Sequence, residues 1–164
     1  MAKYRHDLPQ RQGGIFLTDG GMETTLIFHE GIELPHFAAF VLLDSPEGRQ
    51  KLKQYYASYL AVARDHGTGF VLDSPTWRAN PDWGAKLGYS PADLDRINRD
   101  SVTFAEELRK AHETSTMPVV INGVLGPRGD GYRPDGCMSI EEAERYHRPQ
   151  VEAFRDAGAD MVSA

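Results

Sequence analysis

Residues 118–126 read Pro-Val-Val-Ile-Asn-Gly-Val-Leu-Gly, a short apolar run that ends in a polar residue and glycines. Similar runs occur at residues 14–21, 69–75 and 159–163. Continuous apolar runs bounded by glycine and proline are typical of strands buried on both faces, as in parallel sheets. The sequence therefore predicts four parallel strands, near residues 14–18, 69–73, 118–122 and 160–163.

Three amphipathic helices are predicted between these strands, because apolar residues recur there at helical spacing. They are expected to begin after the capping serines Ser45, Ser90 and Ser139. Gly67 and Gly158 are expected to end the first and third helices, since glycine readily adopts the left-handed conformation at a helix end.

The alternation of strands and helices predicts an α/β fold with right-handed crossovers. A closed (β/α)8 TIM barrel has this order and takes about 250 residues, whereas this chain has 164. Residues 161–164 keep the pattern of a buried strand, so we expect a truncated half barrel that covers roughly the first four strands. A complete flavodoxin-like domain is the alternative, and it would need a fifth strand.

Composition excludes several classes of partner. The formal net charge is −6 and no basic stripe is present, which argues against nucleic acid. No apolar run approaches the roughly 20 residues of a membrane span, and the polar residues 1–12 do not resemble a secretory signal. We therefore expect a cytoplasmic protein. Its single cysteine, Cys137, can form neither an internal disulfide nor a zinc site by itself, and the six histidines have no ligand spacing.

Polar residues and glycines follow the first strand, at Asp19, Gly20 and Gly21. Ligands of parallel α/β folds bind at the carboxyl ends of the strands. Two consecutive glycines let a ligand approach the backbone closely, and Asp19 can accept a hydrogen bond from an ammonium group. An Asp-Gly tight turn without a ligand is the alternative interpretation.

Two further segments have alternative interpretations. Four glycines within residues 123–131 could cradle a phosphate, although no Lys-Ser or Lys-Thr pair follows them as in a Walker loop. A wide barrel loop is the plainer reading. The aromatic residues Trp77, Trp83 and Tyr89 could line a substrate pocket or simply pack in the core.

Four segments resemble the homocysteine S-methyltransferase family, in matching order and spacing. They are Asp-Gly-Gly-Met-Glu-Thr at 19–24, Thr-Trp-Arg-Ala-Asn at 76–80, Gly-Val-Leu-Gly-Pro-Arg-Gly-Asp at 123–130 and Ala-Gly-Ala-Asp at 157–160. The resemblance extends from about Gly14 to Ala164. It implies an N-terminal tail at residues 1–13, followed at 14–164 by the N-terminal part of a barrel domain of this family.

The resemblance also implies a reaction. Family members transfer a methyl group from a sulfonium, betaine or folate-type donor to the zinc-bound thiolate of homocysteine, which gives methionine. The family's three zinc cysteines belong to the second half of the barrel and would lie beyond Ala164. Cys137 matches none of them, so no zinc is expected in this chain, and the fragment is expected to be inactive alone.

The site residues implied by the resemblance belong to the amino-acid side of the pocket. Asp19 and Gly20 would hold homocysteine with help from the backbone at Gly21, and Thr76 and Trp77 would shape the pocket wall. No catalytic residue is assigned. Two alternatives remain open: a non-catalytic short homologue that binds an amino acid or a partner, and an unrelated barrel lyase.

Overall fold

The computed structural model describes residues 2–131 and 136–164, and a sheet of four parallel strands runs through these residues. The strands are β1 (Phe16–Thr18), β2 (Gly69–Asp73), β3 (Val119–Val124) and β4 (Met161–Ser163). They lie side by side in chain order. This order confirms the predicted half barrel. It does not fit the flavodoxin-like alternative, whose strands are permuted in the sheet.

The three long helices that connect the strands begin after the serines that the sequence predicts, whereas two short helices, which follow β1 and β2, were not predicted. Their bounds are α1 (Met22–Thr24), α2 (Pro46–His66), α3 (Pro81–Lys86), α4 (Pro91–His112) and α5 (Ile140–Ala157). Ser45 caps α2, and Ser90 and Ser139 form capping boxes with the third residues of α4 and α5. Within residues 2–131 and 136–164, no helix has both the length and the apolar composition that crossing a bilayer requires.

Short turns between β1 and α2 were not predicted, because they lack the periodicity of a long helix. The chain continues from α1 through a π-helical turn (Thr25–His29) and two 3-10 turns (Pro35–Phe37 and Ala39–Asp44). The last of these buries Phe40 and Leu43 in the core beside α2. These turns therefore extend the helical layer that covers the sheet.

The two faces of the sheet differ in burial. On the outer face, Phe70 and Leu72 of β2 are fully buried in the core that the helices cover. On the inner face, Val71 and Asp73 are only partly buried. The prediction that the strands are buried on both faces is therefore wrong for β2, and it is also wrong for β1 and β4, which contain no buried residue. The inner face carries the polar ends of the strands.

The N-terminal residues predicted as a tail pack against the amino-terminal edge of the sheet. The Tyr4 backbone N–H donates to Asp160 at 2.7 Å, and the Arg5 guanidinium donates to the carbonyl oxygen of Ala159. Residues Pro9–Gln12 form a 3-10 turn. This edge is opposite the carboxyl ends of the strands, so the tail does not enter the candidate site. The domain boundary at residue 13 stays a prediction.

Candidate functional site

A groove of about 200 Å³ lies at the carboxyl ends of β1 and β2. Its walls include Asp19, Gly20, Gly21, Glu23, Asp73 and Trp77. A second cavity of about 230 Å³ lies beside Tyr55 and Tyr59 of α2, and no described strand residue lines it. Ligands of barrel folds bind at the carboxyl ends of the strands, so the groove is the candidate site.

Asp19 is the residue of the groove whose environment is most unusual. Its Oδ2 accepts a hydrogen bond from the Tyr55 hydroxyl at 2.8 Å, while its Oδ1 is buried and has no hydrogen-bond partner among the described residues. Burial raises the pKa of Asp19 to about 6, and the nearby carboxylates of Asp73 and Glu23 add to this shift against the opposing Tyr55 hydrogen bond. Oδ1 therefore has acceptor capacity that the described residues leave unused.

Two tyrosines of α2 hold the backbone at Gly20, the first of the two glycines that follow Asp19. The Gly20 carbonyl oxygen accepts a hydrogen bond from the Tyr59 hydroxyl at 3.0 Å, and it lies 2.9 Å from the Tyr55 hydroxyl, whose single proton is shared between this oxygen and Asp19 Oδ2. Gly21 has a φ of 56°, in the left-handed region that favours glycine, and it is the N-cap residue that precedes α1. A Cβ at Gly20 would meet no atom within 4 Å, so the backbone there is open on the side where a side chain would project.

Thr76 and Trp77 have different surroundings, although both are predicted wall residues. The Thr76 side chain is fully buried, donates to the Val124 carbonyl oxygen at 2.9 Å and contacts Ser74 Oγ at 2.6 Å. Thr76 therefore does not line the groove but packs beneath the residues that form its wall. Trp77 lines the groove itself, and the guanidinium group of Arg78 lies 4.8 Å from the centre of its ring.

The other two predicted pocket aromatics lie outside the walls of the groove. Trp83 donates its indole N–H to the Gly129 carbonyl oxygen at 2.9 Å, and Tyr89 packs edge-on against Phe40 with a ring separation of 5.0 Å. Tyr89 also donates to Asp44. Both side chains therefore serve packing.

The glycine-rich segment after β3 packs against the loop that carries Trp77. A Cβ at Gly126 would lie 1.8 Å from the Trp77 carbonyl oxygen, which requires glycine at this position. This close approach accounts for one glycine of the segment without any phosphate. Residues 132–135 of the predicted wide loop lie outside the described residues, among them Tyr132.

Asp73 and Asn122 are the inner-face residues that sequence reasoning did not select. Asp73 Oδ1 accepts from Asn122 Nδ2 at 2.7 Å, and Thr18 donates a longer bond of 3.4 Å to Asp73 Oδ2. Burial raises the pKa of Asp73, while these two hydrogen bonds oppose the rise. Asp73 ends β2 much as Asp19 follows β1, and that shared position was the available signal.

The described residues do not provide the zinc site that the resemblance implies. Within residues 2–131 and 136–164, no group of three or more His, Cys, Asp or Glu side chains is placed to hold a metal ion. Cys137 is exposed and unpaired with another cysteine. The expectation that this chain binds no zinc stays a prediction.

Comparison with known proteins agrees with the fold. The sequence profile described as homocysteine S-methyltransferase matches residues 16–164. The chain is 32% identical over 160 residues to the homocysteine S-methyltransferase of Escherichia coli (strain K12), covering 91% of this chain and 49% of that protein. It is 27% identical over 163 residues to homocysteine S-methyltransferase YbgG of Bacillus subtilis (strain 168), with the same coverage of 91% and 49%.

Solved structures of homocysteine methyltransferases are similar to this chain in fold. The crystal structure of the homocysteine methyltransferase MmuM from Escherichia coli in its metallated form superposes with a TM-score of 0.71 at 29% identity, covering 96% of this chain and 55% of that one. Its oxidized form also gives a TM-score of 0.71, with coverage of 94% and 53%. The chain is thus half of a (β/α)8 barrel. It belongs to the homocysteine S-methyltransferase family and spans about half the length of the curated relatives it matches.

Proposed function

We propose that this protein takes part in methyl transfer from a small donor to the sulfur of homocysteine, giving methionine, and that the groove holds the amino end of homocysteine. Family membership supports the reaction class. The observation that carries the assignment is the buried Oδ1 of Asp19, which has no hydrogen-bond partner among the described residues. The family match leaves no support for an unrelated barrel lyase.

The substrate's ammonium group suits Asp19 for electrostatic reasons. A carboxylate pKa of about 6 leaves Asp19 mostly ionised at pH 7.5, in a partly desolvated position where an opposite charge is strongly favoured. The ammonium group would donate to Oδ1 while Tyr55 keeps Oδ2 in place. A charge-assisted hydrogen bond of this kind typically stabilises a complex by about 1.5–3 kcal/mol.

The remaining predicted site residues have supporting roles in this proposal. Gly20 and Gly21 would let the amino acid approach the backbone, Trp77 would form the side wall, and Thr76 would hold that wall through its bond to Val124. The proposal includes a cytoplasmic location, where a free thiol such as Cys137 stays reduced. It also includes zinc as the metal of the reaction, bound by residues other than those of this chain.

A binding measurement tests the role of Asp19. Homocysteine affinity is measured by calorimetry under reducing conditions at pH 7.5 for the unaltered chain and for Asp19→Asn. We expect the substitution to weaken binding by about ten-fold to a hundred-fold. The matched control is Asp65→Asn, since Asp65 is an aspartate of α2 whose side chain is 65% exposed. Equal affinities in all three proteins would refute the assignment.

The remaining alternative is a homologue that binds the amino acid and transfers nothing. Both interpretations predict binding at Asp19, so binding cannot separate them. Transfer of an isotopically labelled methyl group from an added sulfonium donor to homocysteine separates them, when it is measured with the complete gene product and metal supplied. Labelled methionine supports the methyltransferase, and its absence with homocysteine bound supports the binding protein.

A further inference from the structure

A cavity of about 100 Å³, the α4–α5 cavity, lies between the amino-terminal half of α4 and the middle of α5. It shares no lining residue with the groove at the strand ends, as far as the described parts of the chain show. An apolar cavity of about 150 Å³ can hold benzene. The smaller and partly open α4–α5 cavity therefore suits a molecule of about five non-hydrogen atoms.

The walls of the α4–α5 cavity are mainly apolar. Three prolines line it, Pro81, Pro91 and Pro149, together with Ala79 and Leu94. Proline has no backbone N–H and a fixed φ, so these walls are stiff and offer a ligand no donor. Pro149 lies inside α5, where it removes one helical hydrogen bond, so helix formation does not explain its presence. Walls of this kind favour an apolar ligand.

The polar side chains that line the cavity already use all of their donors. Asn98 Nδ2 donates to two backbone carbonyl oxygens, at 2.8 and 3.1 Å. Gln150 Nε2 donates to the Thr76 carbonyl oxygen at 3.1 Å and to Asn98 Oδ1 at 3.0 Å. The Tyr146 hydroxyl donates to Asn80 Oδ1 at 2.9 Å. The described lining side chains therefore have no N–H or O–H left for a ligand.

The side-chain oxygen of Gln150 is an acceptor that remains unused. Gln150 is 5% exposed, and its Oε1 has no hydrogen-bond partner in the described parts of the chain. A buried amide oxygen without a partner is costly and calls for an explanation. Exchanging the amide nitrogen and oxygen would not help, because Nε2 faces two acceptors, on Thr76 and Asn98. A ligand in the cavity that Gln150 lines can supply the missing donor.

We propose that the α4–α5 cavity binds a small, neutral, apolar molecule with one N–H or O–H donor, which bonds to Gln150 Oε1. Anions are disfavoured, because no Lys or Arg is among the described residues that line the cavity. The charged lining residue Asp95 has a side chain that is 51% exposed and pairs with Arg99 at 2.8 Å, so it does little to attract a cation. The inference does not depend on the function proposed for the groove.

Two rings of equal size isolate the donor. Pyrrole has one N–H donor, and furan has an oxygen at that position and no donor. Binding of each at pH 7.5 is measured by NMR titration for the unaltered chain, Gln150→Met and the control Gln50→Met. Gln50 is an exposed glutamine of α2 and does not line the cavity. Pyrrole-2-carboxylate tests the exclusion of anions, and nuclear Overhauser contacts between pyrrole and the protein locate the site.

We expect the unaltered chain and Gln50→Met to bind pyrrole about fivefold more tightly than furan, the effect of one hydrogen bond. Pyrrole should contact the methyl groups of Leu94 and Ala79, and its carboxylate derivative should bind more weakly. Gln150→Met should bind both rings equally.

The inference is overturned if the unaltered chain does not bind pyrrole, binds furan or the carboxylate equally well, or binds pyrrole at another surface. A preference for pyrrole that persists in Gln150→Met also overturns it. If Gln150→Met does not fold, the comparison of the two rings and the contacts of pyrrole in the unaltered chain decide the question.

Discussion

At the residue scale, Asp19 combines a stability cost with the proposed binding role. Burial raises its pKa to about 6, above the value of about 3.8 for an unperturbed aspartate, and Asp73 and Glu23 face it from the same groove. When a carboxyl has a higher pKa in the folded state than in the unfolded state, its ionisation destabilises the folded state. At neutral pH the folded protein therefore carries an ionised Asp19 at a cost in stability.

This cost predicts that Asp19→Asn stabilises the folded protein, although the same substitution is expected to weaken homocysteine binding. Asp19→Asn should raise the free energy of unfolding at pH 8 by roughly 1–3 kcal/mol, since each pKa unit corresponds to about 1.4 kcal/mol. The gain should shrink as the pH falls below about 6 and should be nearly absent at about pH 3.5, where the carboxyl is mostly protonated in both states. Urea unfolding at pH 8 and pH 3.5 measures both values. A large loss of stability at pH 8 would mean that Asp19 is a turn residue whose charge the fold requires.

At the scale of the elements, Gly48 illustrates how packing outweighs local preference. Gly48 lies in the first turn of α2, where alanine is intrinsically more favourable by about 1 kcal/mol. A Cβ there would lie 2.2 Å from the carbonyl oxygen of Leu42, in the preceding 3-10 turn. That contact involves backbone and cannot be relieved by a rotamer change.

We therefore expect Gly48→Ala to destabilise the protein by about 1–3 kcal/mol in spite of the better helix propensity. Thermal unfolding of this variant is compared with Gly14→Ala, whose Cβ would meet only an ordinary contact of 3.7 Å with Phe16. A higher melting temperature for Gly48→Ala than for the unaltered chain would contradict the packing of α2 on the 3-10 turn.

Strands and long helices can be predicted from the sequence, whereas contacts between residues far apart in the chain cannot. Strands and long helices followed from signals that are local, namely apolar runs and capping serines such as Ser45. The contact of Asp73 with Asn122 joins residues 49 positions apart and depends on strand register, which no local pattern records. Thr76 was selected from a motif, but the direction of its side chain is set by the Val124 carbonyl oxygen, so it lies behind the groove.

At the scale of the whole molecule, Asp160 joins both ends of the chain to the sheet. Its carboxylate accepts hydrogen bonds from Arg109 at 2.6 Å, from the Ile121 backbone at 2.9 Å and from the Tyr4 backbone at 2.7 Å. The side chains of Arg109 and Asp160 are 4% and 0% exposed. The aspartate of the Ala-Gly-Ala-Asp segment is therefore a structural centre at the edge opposite the groove.

Removing this carboxylate takes one of two carboxylate partners from a buried guanidinium group, since Arg109 also pairs with the less buried Glu106. Asp160→Ala should lower the free energy of unfolding by about 3–5 kcal/mol, the usual effect of breaking a buried ion pair. Glu144→Ala removes an exposed pair with Arg148 and should cost less than about 1 kcal/mol. Urea unfolding of both variants gives the comparison, and equal effects would contradict the central role of Asp160.

The central claim is that the Asp19 carboxylate receives the ammonium group of homocysteine, and its titration tests this most directly. NMR of the chain with carbon-13 in the aspartate carboxyl groups follows Asp19 with and without saturating homocysteine, and Asp19→Asn assigns the signal. We predict that Asp19 titrates near pH 6 in the free protein and at a clearly lower pH in the complex, because a neighbouring positive charge favours the carboxylate. An Asp19 pKa that stays the same or rises when homocysteine binds would contradict the account.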